Sequence, residues 1–164
     1  THFHADFVSC HVDLANKTGA AIIYGPSAKT GYDAIIATDN QEFKVGDVTI
    51  RVIHTPGHTQ ESSTFLLIDE NGKETALFTG DTLFLGDVGR PDLAIKSDLT
   101  QEDLAGMLYD SLREKIMTLP DDVIVYPVQS LKGSIHSTGD VISYNKPPIV
   151  EVTVLNNYGN LIFK

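Results

Sequence analysis

Short runs of alternating apolar and polar residues dominate the chain up to Pro127, and they are punctuated by glycine-bearing polar pairs. Glu42 to Val45 and Val48 to His54 flank Gly46-Asp47, and Thr64 to Ile68 and Thr75 to Thr79 flank Asn71-Gly72. Such a pair between alternating runs signals a hairpin, so these four strands are predicted to form a meander. Two stretches follow helical spacing instead. Val8, Val12, Leu14 and Ala15 precede Gly19, which predicts a short helix over Val8 to Lys17 with a glycine stop. Leu104, Met107, Leu108, Leu112 and Ile116 predict a longer helix over Thr100 to Met117, opened by a Thr100–Asp103 capping box and closed by Pro120. Ala21 to Tyr24, Ala34 to Ala37 and Val123 to Tyr126 read as further strands. Beyond Pro127, Val128 to Pro148 is mixed and turn-rich, and Ile149 to Leu155 with Asn160 to Phe163 predicts a terminal hairpin about Tyr158-Gly159. Helices and hairpins mixed in this way predict an α/β sandwich rather than a doubly wound parallel sheet.

Composition narrows the class. A chain of 164 residues with 41% hydrophobic content reads as one domain over 1–164, with 128–164 unassigned. Twelve Lys plus Arg against 22 Asp plus Glu leave a net charge of −10, so no nucleic-acid partner is expected. The single cysteine, Cys10, excludes an internal disulfide framework and suits a reducing compartment, so a cytoplasmic location is expected. No apolar run has the length of a membrane span and no opening resembles a signal peptide, so no membrane partner is expected either. Thr1 opens the chain immediately before its densest chemistry, which reads as part of a longer polypeptide.

That chemistry begins at His2-Phe3-His4-Ala5-Asp6. On an extended segment alternate side chains leave one face, so two imidazoles and a carboxylate converge without tertiary help. Thr55-Pro56-Gly57-His58-Thr59 ends a strongly β-like run, and Thr79-Gly80-Asp81-Thr82 ends the next hairpin. Each is a turn that holds one donor, His58 or Asp81, at the rim of the sheet.

The three motifs in this order resemble the metallo-β-lactamase superfamily, whose ligand motifs run H-x-H-x-D-H, glycine-histidine turn, glycine-aspartate turn, last histidine. The resemblance covers Thr1 to Pro127 and implies an αββα sandwich with metal at the sheet edges. In that family an N-terminal β-layer precedes the first motif, so part of that layer is expected to be lacking here. Two departures bear on the metal. Phe7 stands where a two-metal member carries histidine, and Gln129 follows the last strand where another histidine is expected, so the second site loses donors.

What remains is His2, His4, His58 and Asp81 for one ion. Two histidines and a carboxylate with open positions suit non-haem Fe(II), while three histidines and water suit zinc. The closer resemblance is to the persulfide dioxygenase branch, particularly members that also carry rhodanese domains. It implies one Fe(II) on His2, His58 and Asp81, with His4 in the wall of the site, and a small-molecule thiol persulfide as substrate. Gly86-Asp87-Val88-Gly89-Arg90-Pro91-Asp92 matches that branch's glycine-arginine-x-aspartate element. Arg90 then offers its planar fork to a substrate carboxylate, or else ties down its own loop through Asp87 or Asp92.

Other residues carry less. His54 reads as a structural histidine at the strand end, His11 as a surface residue of the first helix, and His136 receives no role. Cys10 reads as an inert half-buried cysteine, with acceptance of sulfane sulfur as the alternative. Tyr126 either lines the site or fills the core. Two further functional readings stand beside the dioxygenase: a glyoxalase II-like thioester hydrolase, and a truncated non-catalytic metal-binding domain whose incomplete sheet favours a homodimer.

Overall fold

A computed structural model describes residues 1–4, 9–93 and 99–127 in full, and beyond them the backbone of four short strands. Contacts gather into two units, Thr1–Val128 and Gln129–Lys164, where the sequence reads as one domain. The first unit carries all the chemistry described below. Among the described residues no helix is long and apolar enough to cross a membrane.

The predicted meander forms. β3 (Glu42–Val45), β4 (Val48–His54), β5 (Ser63–Ile68) and β6 (Glu74–Gly80) pair antiparallel in sequence order, and β7 (Ile124–Pro127) joins β6 in parallel. Ahead of this sheet, helix α1 (His11–Thr18) leads to β1 (Ile23–Tyr24), which pairs in parallel with β2 (Ile35–Ile36). α1 starts at His11, with Cys10 at its N-cap supplying no side-chain hydrogen bond, while the predicted start at Val8 lies outside the described residues; its stop at Gly19 (φ 75°) is as predicted. Cys10 is exposed rather than half-buried.

α2 (Gln101–Asp110) opens on the predicted capping box between Thr100 and Asp103 and buries Leu104 and Leu108. The period changes before its end. Ser111–Ile116 is a π-helical turn, with the Met117 N–H reaching back to the Leu112 carbonyl at 2.8 Å, so the predicted single helix is two helical forms in series. The turn still delivers Ile116 to a core of Ile53, Leu66, Ile68 and Leu77, with Leu112 and Val125 packed around it. These strand residues occupy one face by the period-two rule. On the opposite face Phe78 and Tyr126 stack at 5.4 Å and are about half-exposed, so Tyr126 is a sheet-surface residue.

In the second unit β8 (Ser130–Ile135) pairs in parallel with β10 (Ile149–Val154), and β9 (Val141–Ser143) with β11 (Leu161–Phe163). The predicted terminal hairpin is therefore not made. β10 and β11 each bond to an earlier strand, and Tyr158-Gly159 lies outside the described residues.

Leu77, 1% exposed at the centre of the core, sets a stability test. Leu77→Ala is expected to cost about 3 kcal/mol in denaturant unfolding. Leu85→Ala, at a residue 73% exposed, should change stability little.

Candidate metal centre

Three separate pieces of backbone bring the donors together, and each is positioned by a contact that can be named. The first piece is the N-terminal segment. Its Thr1 carbonyl accepts from the Ser63 N–H at 2.9 Å, and the Phe3 N–H donates to Glu61 Oε1 at 3.0 Å. Alternation then does the rest: Phe3 turns away to pack its ring on Tyr24 at 5.0 Å, while His2 and His4 face the site.

The turn after β4 is the second piece. Gly57 has φ 144° and lies so close to Leu108 of α2 that a side chain there would collide with the helix backbone. This close approach holds His58 at the rim with only 3% of its surface exposed. The third piece is the turn after β6, where Gly80 at φ 52° bends the chain so that Asp81 leaves the strand toward the histidines. Behind these turns, Thr55 Oγ1 bonds both Thr64 Oγ1 and Thr82 Oγ1 at 3.0 Å, and all three threonines are buried. The turns after β4 and β6 and the start of β5 are thereby tied by hydroxyls rather than by loose packing.

Around the centre, His4 Nδ1 lies 3.0 Å from His58 Nε2. Asp81 Oδ2 lies 3.5 Å from His58 Nε2 and 3.8 Å from His2 Nε2. Donor nitrogens bound at about 2.05 Å to one tetrahedral ion sit roughly 3.3 Å apart, so these separations bracket the spacing an ion needs. The tautomer also suits it. His58 Nδ1 donates to the Arg90 carbonyl at 2.9 Å, which leaves the lone pair of Nε2 directed at the centre. His2 Nε2 is buried and has no hydrogen-bond partner among the described residues. A cation would satisfy it. The donor set therefore fits one metal ion.

Burial, followed by the neighbouring His58 imidazole, pushes the His2 pKa down to about 4. That favours the neutral ring, the form that binds metal.

Of the residues singled out in the sequence, the structure brings together His2, His4, His58 and Asp81. Asp6, Phe7, Gln129 and His136 lie outside the described residues. Arg90 takes two parts at once: its carbonyl orients His58, while its exposed guanidinium pairs with Asp92, Nε to Oδ1 at 3.0 Å. His54 stays out of the cluster, its Nε2 on the Gln60 carbonyl at 3.0 Å and its N–H on Asp39. His11 bonds Ser9 Oγ and packs on Tyr32. Sequence reading missed Gly89. A Cβ there would overlap the Asp81 carbonyl and press on His58 Cβ, so glycine lets the 82–90 loop return beneath both donors. The clue lay in the Gly86-Asp87-Val88-Gly89 run.

Comparison with known proteins agrees with this geometry. A profile of the metallo-beta-lactamase superfamily matches residues 1–128. The chain belongs to that superfamily. It is 32% identical over 127 residues to a probable hydroxyacylglutathione hydrolase of Schizosaccharomyces pombe, covering 77% of this chain and 45% of that one. It is 30% identical over 149 residues to the human mitochondrial persulfide dioxygenase ETHE1, covering 84% and 50%. Among solved structures, a metallo-beta-lactamase from Staphylococcus aureus superposes with a TM-score of 0.68 at 37% identity, covering 79% of this chain and 42% of that one. The chain thus spans about half the length of the curated relatives it matches. Its fold is the metallo-β-lactamase fold, and these relatives are metal-dependent enzymes whose named activities divide between hydrolase and dioxygenase.

Two outcomes check the site. His58→Ala should abolish metal binding there, whereas His54→Ala should retain most of it in equilibrium titration; equal losses would contradict the assignment. The metal-free protein should also lose stability as pH falls from about 6.5 to about 4, measured by denaturant unfolding. Across that window His2 binds a proton in the unfolded chain but not in the folded one, so acid favours unfolding.

Proposed function

We propose that this chain holds one iron ion on His2, His58 and Asp81, and that the protein oxidises a low-molecular-weight persulfide, glutathione persulfide in the first instance. The donor set carries this reading. The imidazoles of His2 and His58 each come within 3.8 Å of Asp81 Oδ2, and two imidazoles with a carboxylate are the combination that suits Fe(II) working on dioxygen. Phe7 has no lone pair to offer a second ion, which supports one metal rather than two. The similarity to ETHE1, named as a persulfide dioxygenase, points the same way.

The overall change is balanced. One persulfide, one dioxygen and one water give one thiol, one hydrogen sulfite and a proton, and four electrons pass from the persulfide to dioxygen. Iron, when bound, supplies the redox chemistry; the protein supplies position. His58 keeps its donor nitrogen inward through the Arg90 carbonyl, and His4 walls the site beside it. The Arg90 guanidinium would exchange Asp92 for a carboxylate of the thiol, since it is exposed and already paired with a carboxylate in the geometry it favours.

A second reading, hydrolysis of a glutathione thioester on zinc, is favoured by the Nδ1 of His4 lying 3.0 Å from His58 Nε2, which makes a three-histidine set. It is also the activity named for the Schizosaccharomyces pombe relative.

The readings separate in one assay. Full-length protein loaded with Fe(II) should consume oxygen when given glutathione persulfide and release sulfite in equal amount. No uptake with iron confirmed in place, together with turnover of a glutathione thioester by the zinc form, would reverse the ranking.

A further inference from the structure

The edge of β4 that faces β3 carries hydrogen-bonding groups at residues 52, 54 and 56, and each set is satisfied differently. At Val52 the partners are backbone: its N–H donates to the Gln41 carbonyl at 2.9 Å, and its carbonyl accepts from the Asn40 N–H at 2.7 Å. β3 begins at Glu42, opposite Arg51, so its ladder does not extend to His54. Side chains take over there. Asp39 Oδ1 accepts the His54 N–H at 2.7 Å, and Lys115 Nζ donates to the His54 carbonyl at 2.7 Å. The same ammonium is held by Asp39 Oδ2 at 2.8 Å. Pro56 has no N–H to satisfy, and its carbonyl accepts from Ser111 Oγ at 2.8 Å.

Ser111 and Lys115 both belong to the π-helical turn, and with Asp39 they make the bonds that a neighbouring strand would make. They grip residues 54 and 56, immediately before the turn that presents His58. The grip is specific in direction as well as place. An N–H and two carbonyls are matched by one carboxylate, one ammonium and one hydroxyl, with Gly57 then pressed against Leu108.

We propose that Lys115 and Ser111, with Asp39, are positioning residues for the metal centre, extending the sheet edge with side chains so that the turn delivers His58 Nε2 to its place. The proposal rests on the reading of His2, His58 and Asp81 as ligands. A merely structural role, in which these bonds only fasten helix to sheet, would lower stability without changing how metal is held.

Co(II) distinguishes the two, because its visible absorption reports ligand geometry. In the full chain, Lys115→Met is expected to weaken Co(II) binding about tenfold and to alter the spectrum at saturation, in line with losses found when supports of metal ligands are removed. Ser111→Ala, a smaller change that also serves if Lys115→Met folds poorly, should weaken binding about threefold. Lys115→Arg, which keeps the charge and its donors, should recover most of the affinity. Ile68→Val lies in the core and serves as the control, losing thermal stability with unchanged Co(II) affinity. Wild-type affinity and spectrum in both Lys115→Met and Ser111→Ala would overturn the proposal, as would an equal loss of affinity in Ile68→Val. If His58→Ala binds Co(II) as well as the wild type does, the ligand assignment itself fails and the proposal falls with it.

Discussion

The hydrogen bond from His58 Nδ1 to the Arg90 carbonyl is the interaction on which the site depends. It joins the turn after β4 to the far end of the loop after β6, and it decides which imidazole nitrogen faces the centre. Without it His58 could present either nitrogen, and the 3.0 Å approach to His4 would have no fixed meaning. Gly89 makes the bond geometrically available, because only a residue without a side chain lets the loop pass beneath Asp81 and His58 together.

Around that bond the fold works as a rigid frame for the N-terminal segment and the turns after β4 and β6. The meander brings the ends of β4 and β6 to one rim, and Ile116 of the π-helical turn packs on the face that holds the core. The turns are then locked from behind by the Thr55, Thr64 and Thr82 hydroxyls. A site built this way places its donors by strand geometry and close backbone approach, with little freedom left to the side chains. That is the order an ion-binding centre needs before the ion arrives.

Much of this was legible in the sequence. The hairpin turns at Gly46-Asp47 and Asn71-Gly72, the capping box at Thr100 and the glycine stop at Gly19 are local chemistry, and each acts where it is read. The convergence of His2, His4, His58 and Asp81 was legible because motif order and strand-end position reinforce one another. What could not be read is set by backbone hydrogen bonding, side-chain rotamer and long-range contact rather than by the apolar pattern. The π turn at Ser111–Ile116 keeps a helical apolar spacing, so periodicity alone does not reveal it. Lys115 meets Asp39 and His54 only after folding, and the pairing of Arg90 with Asp92 rather than Asp87 is a choice of rotamer. The parallel pairing of β10 and β11 with β8 and β9 is likewise non-local, whereas Tyr158-Gly159 imitates a hairpin turn locally.

In the proposed reading, donors from the N-terminal segment and the turns after β4 and β6 hold a single redox-active ion. Elemental analysis of freshly purified, unchelated full-length protein tests it most directly. Close to one iron per chain, lost in His58→Ala, is the expected result. Close to two zinc ions per chain would contradict it.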